Sequence, residues 1–309
     1  MAVEMVPYGG WQKNLRLAND ETELIVTLEV GPRIIHYGFK KGRNIFGEFR
    51  EQRGGKGEAK WMLRGGHRLW VAPEQKPRTY ELDNRAVQFR EIEGGVSVVA
   101  EPGLLTRLRK AMDIRMAEDR NEVTVVHRLT NEGKTPVECS PWALTVLAPG
   151  GTAIIPLPPF ELRDDRWTPN QNWSLWSYTN LADPRWNIGS RCILLKQDPK
   201  RGPTKLGLAQ REGWAAYLLD RRLFVKWFER KAEGVYPDGD VNFEVYADQR
   251  ILELETLGPL AELAPGESVS HEERWALYRN VPRCATQKDI NARILPLIQK
   301  PSAGPAQSG

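Results

Sequence analysis

Residues 23–38 read ELIVTLEVGPRIIHYG, and this stretch decides the fold class. Leu24, Val26, Leu28 and Val30 alternate with Glu23, Thr27 and Glu29. A period of two places the apolar set on one face of an extended chain, because successive strand side chains point to opposite sides. Gly31-Pro32 breaks the run and Arg33–Gly38 resumes it.

The same pattern spreads outward along the chain. Residues 86–100 (AVQFREIEGGVSVVA) read as a hairpin around Gly94-Gly95. Residues 122–130 (EVTVVHRLT) are rich in β-branched side chains, and Asn131–Lys134 form a turn before a further pair of strands over 136–147. Residues 213–228 place Asp220-Arg221-Arg222 between two apolar runs, again a hairpin pattern. Residues 242–246, 251–257 and 268–278 alternate as strands, with the turn 264–267 before the last. Residues 156–191 are an irregular excursion rich in Pro, Asn, Asp and Trp. One helix is expected, over 286–299, interrupted by Pro296. Together these signals predict an all-β protein of two stacked antiparallel sheets in one domain over 1–280. A short helix and a disordered Pro/Ala/Gly/Ser tail (KPSAGPAQSG) then occupy 281–309.

Forty-four basic residues stand against 40 acidic ones, a formal net charge of +4. Basic and acidic residues are interleaved, so nucleic acid is not an expected partner. One local cluster, Lys56, Lys60, Arg64 and Arg68, is suited to an anionic or hydroxyl-rich ligand. Three widely spaced cysteines give neither a zinc motif nor a disulfide framework. No secretory signal and no run of some 18 apolar residues is visible, which leads to the expectation of a cytoplasmic protein without a membrane partner. Dinucleotide, phosphate-loop and nucleophile-elbow patterns are missing, which disfavours nucleotide-driven and serine-hydrolase chemistry; no cofactor and no metal are expected. The sequence does not speak to oligomeric state.

Residues 61–70 (WMLRGGHRLW) carry the most chemistry. Adjacent glycines permit a tight bend that presents Arg64, His67 and Arg68, with Trp61 and Trp70 on either side as groove walls. The plainer alternative is a surface turn with solvated arginines. In 251–259 (ILELETLGP), Glu253 and Glu255 share one strand face, either as a pair of working carboxylates or as an ordinary solvated face. Asn242, Phe243 and Tyr246 would supply a polar-aromatic wall beside them. His127 shares its face with Val123, Val125 and Leu129, which favours a core histidine over a catalyst. His36 and His271 are read as structural.

Several segments carry a resemblance to the galactose mutarotase (aldose 1-epimerase) superfamily, in particular its branch with a GGHRLW-type motif. Val30–Ile35 resembles the family's opening Gly-Arg-Ile strand, and Leu63-Arg64-Gly65-Gly66 its R-G-G or H-G-G bend. Asn242–Tyr246 followed by Leu254-Glu255-Thr256 resembles its aromatic-Tyr strand and its catalytic strand, and Leu263–Glu267 its L-x-P-G-E turn. The resemblance implies a β-supersandwich with a concave sugar-binding groove. It further implies acid–base opening of the sugar ring, with Glu255 as general base and an aldose or anionic sugar as small-molecule partner. Arg64, Arg68, Trp70, Arg33, His127 and Asn242 would bind substrate. One departure stands out: where the family carries its general-acid histidine, this chain reads Cys139-Ser140-Pro141-Trp142-Ala143-Leu144. His67 or His127 is then the expected acid. The competing expectation is a carbohydrate-binding protein without catalysis.

Overall fold

The structure, a computed structural model, describes residues 2–159, 168–284 and 286–298. Strand far outweighs helix, and among the described residues every strand pairing is antiparallel. The larger sheet runs in the order Ala2–Tyr8, Trp11–Ala18, Thr22–Thr27, Arg33–Phe39, His67–Ala72, Val137–Leu147, Leu252–Leu257, Phe243–Ala247, Thr204–Leu208 and Trp173–Leu175. The second runs Trp186–Ile188, Cys192–Lys196, Thr152–Pro156, Trp214–Leu219, Arg222–Phe228, Ser268–Tyr278, Glu122–Asn131, Leu108–Met116, Gly95–Val99 and Gln88–Ile92. Their inner faces meet in one core that includes Leu69, Val71, Val245 and Leu254 from the first sheet and Val125, Leu129, Phe224 and Trp275 from the second.

Local chemistry explains the turns. Asp220 and Arg221 both adopt positive φ between paired Leu219 and Arg222, as a two-residue hairpin turn requires. The expected pair of strands over 136–147 is instead one strand, Val137–Leu147. Pro141 stands where one edge changes partner, from Ala261–Leu263 to Leu252–Leu257. A missing N–H costs little at such a seam.

The regular strand in the opening stretch ends at Thr27, and Leu28–Val30 bend toward Gly31, whose φ is +129°. The terminal helix is shorter than expected, Gln287–Arg293, and gives way to a 3-10 turn, Leu295–Leu297, containing Pro296. Thr286 caps it by accepting the Asp289 amide, and Ile290 and Ile294 join a second apolar cluster with Trp214, Val225 and Trp227. The tail over 300–309 lies outside the described residues. All three cysteines are free. Among the described residues no helix is long and apolar enough to cross a membrane.

Candidate functional site

Strand parity and cross-strand register build the site. In the His67–Ala72 strand, Arg68 and Trp70 point away from the core, and Trp142 and Leu144 do so in the next strand. Leu144 faces Glu255, and Glu255 faces Glu244, so one row across the outer face reads Arg68, Leu144, Glu255, Glu244. Lys205 belongs to the neighbouring row, opposite Tyr246, and reaches diagonally to the carboxylates. Segments from both sides overhang this face and leave a cavity of about 400 Å³. Trp61, Trp70, Trp142, Tyr80, Tyr178 and Tyr246 line it together with Arg68, Lys205, Glu74, Asp248, Glu253 and Glu255. That volume suits a small ligand.

The aromatic floor is continuous. Trp70 stands 5.1 Å from Trp61, 5.1 Å from Tyr80 and 5.4 Å from Trp142 between ring centroids. Trp70 and Trp142 are buried, whereas Trp61 is half-buried and Tyr178 exposed, so the last two offer open ring faces. The Arg68 guanidinium lies 4.5 Å over Trp70 and donates to Glu253 at 2.9 Å.

Glu255 is held from one side only. Its Oε2 accepts from Trp142 Nε1 at 3.0 Å and from Lys205 Nζ at 3.0 Å, and its Oε1 has no hydrogen-bond donor among the described residues. Lys205 Nζ also stands 2.6 Å from Glu244 Oε2. It lies 4.8 Å over the Trp142 ring and 4.6 Å over Trp176. Gly207 makes room for that last ring, since a Cβ there would come within 3.3 Å of it.

Burial pushes Glu244 well above the usual carboxylate range, and the Glu255 charge adds to this against the opposing pull of Lys205. Burial alone would lower the Lys205 ammonium, but the Glu255 and Glu244 carboxylates outweigh it and hold the group above its ordinary value. A proton on Glu244 makes the buried trio of one ammonium and two carboxyls neutral overall, which is the cheap way to bury it. Glu253 is raised as well, by burial first, with Arg68 opposing and Glu255 adding to the shift.

The expectation that Arg64, His67 and Glu255 share one pocket is corrected on two counts. His67 begins the strand rather than belonging to the bend, so it faces the opposite side from Arg68 and enters the inter-sheet core. There its Nε2 meets His127 Nε2 at 2.6 Å and its Nδ1 meets Thr145 Oγ1 at 2.8 Å. His127 also bonds the His271 carbonyl at 3.0 Å, in line with the core reading of that residue. Arg64 is buried outside the groove lining. Its amide donates to Gln52 Oε1 at 2.6 Å, and its guanidinium pairs with Glu58 and stands 3.6 Å from Asp83.

Arg33 and Asn242 also act as braces. Arg33 donates to the Leu63 and Gly65 carbonyls, at 3.0 and 2.6 Å, and to Asp83 at 2.7 Å, fixing the bend beside the groove. The two glycines are sterically required there: a Cβ on Gly65 would come within 2.0 Å of the Gly47 carbonyl oxygen, and one on Gly66 within 2.2 Å of that of Ile34. Asn242 bonds both backbone groups of Gln210. The anticipated basic cluster is dispersed into separate pairs, Lys56 with Glu29, Arg64 with Glu58 and Arg68 with Glu253.

Glu255, Arg68 and Trp70 thus do line one groove. Lys205, Tyr178 and Glu74 join them, with Glu244 buried behind Lys205, without having been singled out from the sequence. A signal existed for Lys205, because Thr204, Leu206 and Leu208 alternate with Lys205 and Gly207.

No family model matches the chain, and no curated protein matches it in sequence. Solved structures do. A galactose mutarotase-like protein from Lactobacillus casei superposes with a TM-score of 0.57 at 10% identity, over 86% of this chain and 100% of that one. The fold is that of the galactose mutarotase-like proteins. A galactose mutarotase related enzyme from Lactobacillus acidophilus gives 0.52 at 7% identity, over 88% and 100%. A candidate aldose 1-epimerase from Escherichia coli K12 gives 0.51 at 14%, over 85% and 98%. None of the four histidines lines the groove.

The core histidines have a consequence of their own. Burial pushes His67 well below the usual histidine value, lowers His127, and takes His271 down to about 3. The unfolded chain therefore binds protons below about pH 6.5 that the folded chain refuses, so this stability is complete above that pH and is lost as pH falls. Each histidine contributes a slope of about 1.4 kcal/mol per pH unit, continuing down toward pH 3 for His271. Urea unfolding between pH 8 and 4 is expected to show a midpoint that falls as pH drops below 6, where the histidine slopes together exceed the opposing one from the raised Glu244 carboxyl. A midpoint level down to pH 4 would rule out neutral core histidines.

Proposed function

We propose that the groove binds a neutral aldose and that Glu255 takes up the proton of its anomeric hydroxyl, opening the ring so that it can reclose on the other face. One observation carries this reading. Glu255 is held through Oε2 by Trp142 and Lys205, which leaves Oε1 free toward an aromatic-lined cavity of sugar size. A base needs such an oxygen, fixed in position yet able to receive a proton. Open faces on Trp61 and Tyr178 suit the apolar faces of a pyranose, and the Glu253–Arg68 pair suits its hydroxyls.

A neutral sugar is favoured by charge. Four carboxyl side chains line the cavity against two cations, and both cations are already engaged by carboxylates. A phosphorylated or uronic sugar would meet no unpaired cation among the described lining residues. A second reading, sugar binding without turnover, is favoured by the histidine-free lining alone.

Titration of tryptophan fluorescence with neutral, phosphorylated and uronic sugars and with methyl glycosides tests the binding claim. Neutral aldoses and their methyl glycosides are expected to quench or shift the signal saturably, at least about tenfold more tightly than their anionic counterparts, a gap of about 1.4 kcal/mol. Tighter binding of the anionic sugars would reverse the assignment.

A further inference from the structure

We propose that Lys205 is the proton donor of the groove, delivering a proton to the ring oxygen while Glu255 withdraws one from the anomeric hydroxyl. This inference rests on the ring-opening reading above. The anomeric hydroxyl and the ring oxygen are bonded to the same carbon, so base and acid must stand side by side. Lys205 Nζ and Glu255 Oε2 stand 3.0 Å apart, and both residues line the cavity.

Three other donors in the lining are already committed. The Arg68 guanidinium does not give up a proton in proteins and is committed to Glu253. The Tyr80 hydroxyl donates to Glu74 and that of Tyr246 to Asp248. Lys205 is also positioned with unusual care, between the Trp142 and Trp176 rings and against Glu244, whose side chain is fully buried.

The step balances without any further reactant. Glu255 Oε1 accepts the proton of O1 as the C1–O1 carbonyl forms. The C1–O5 bond breaks, its electron pair stays on O5, and O5 takes a proton from Lys205 Nζ. The product is the open-chain aldehyde beside a neutral amine and a protonated Glu255. After C1 turns over, the amine recovers its proton from O5 as O5 attacks C1, and Glu255 returns its proton to O1. Glu244 Oε2 stands 2.6 Å from the amine, and burial raises its carboxyl, which weakens the negative charge it sets against the departing proton.

Anomer exchange followed by NMR in Lys205→Ala tests this against a purely charge-neutralising role. Exchange is expected to fall by at least about 10²-fold, the lower end for loss of a general acid. Methylamine should restore it saturably, above the rate with methylamine alone, and tetramethylammonium, a cation with no proton to give, should not. Equal rescue by both cations would overturn the proposal, as would undiminished exchange in the variant. Should Lys205→Ala fail to fold, Lys205→Arg keeps the charge. A cooperatively melting Lys205→Arg protein without exchange supports the donor role, and one with wild-type exchange overturns it. Exchange lost in Glu255→Gln but kept in both Lys205 variants removes Lys205 alone. No exchange by the wild type removes the ring-opening reading and this inference together.

Discussion

Glu255→Gln is expected to bind neutral aldoses almost as the wild type does while anomer exchange falls by about 10²–10⁴-fold, the range for loss of a general base. Glutamine preserves the shape and one acceptor oxygen, so Trp142 Nε1 keeps a partner. An amide cannot take up a proton at neutral pH, and the free oxygen of the carboxylate is what the reaction needs. Lys205 would lose one of its two carboxyl neighbours, which leaves Glu244 to hold it. The substitution therefore separates turnover from binding and folding. Exchange spectroscopy on saturating aldose, paired with a fluorescence titration, measures both. Wild-type exchange in the variant would take Glu255 out of the mechanism.

The second large effect lies in the core between the two sheets and concerns stability. Lys226 is completely buried and donates to Glu273 at 2.8 Å and to the Leu254 carbonyl at 3.2 Å. Glu273 also accepts from Trp275 Nε1 at 2.8 Å and from the Thr256 hydroxyl, which in turn meets His271 at 2.7 Å. Removing one partner of such a pair strands the other charge away from water, a loss of about 3–5 kcal/mol. Lys226→Met is expected to lose that much in urea unfolding. Lys226→Met combined with Glu273→Gln should recover a substantial part, because the stranded charge is then gone. Since the network faces the core, the folded single variant should retain the sugar affinity of the wild type. A loss below about 1 kcal/mol would mean that the pair contributes little, as exposed pairs do.

The sandwich was legible because period-two alternation and turn chemistry are local. Glu253 and Glu255 were legible as sharing a face for the same reason. That this face is buried was not legible, since its cover comes from residues far away in sequence, around Trp61, Tyr80 and Tyr178. The Leu252–Leu257 strand is accordingly buried on both sides, and the alternative of a solvated face fails.

His67 was misread for a reason that strand parity could have repaired. Once the strand begins at His67, neighbours must face opposite ways, and Arg68 and Trp70 in the groove send His67 into the core. The single strand Val137–Leu147 was missed for a different reason. Whether a strand tolerates proline depends on which partner flanks it, and that partner is set more than 100 residues later.

The most direct measurement is anomer exchange by the wild-type protein across a panel of neutral aldoses, with their phosphorylated counterparts alongside and locked methyl glycosides as binding controls. A neutral aldose whose α and β forms interconvert faster than spontaneously, inhibited by its methyl glycoside and unmatched by the phosphorylated sugar, is the predicted result. Spontaneous rates for every sugar, including those the groove binds, would contradict the account.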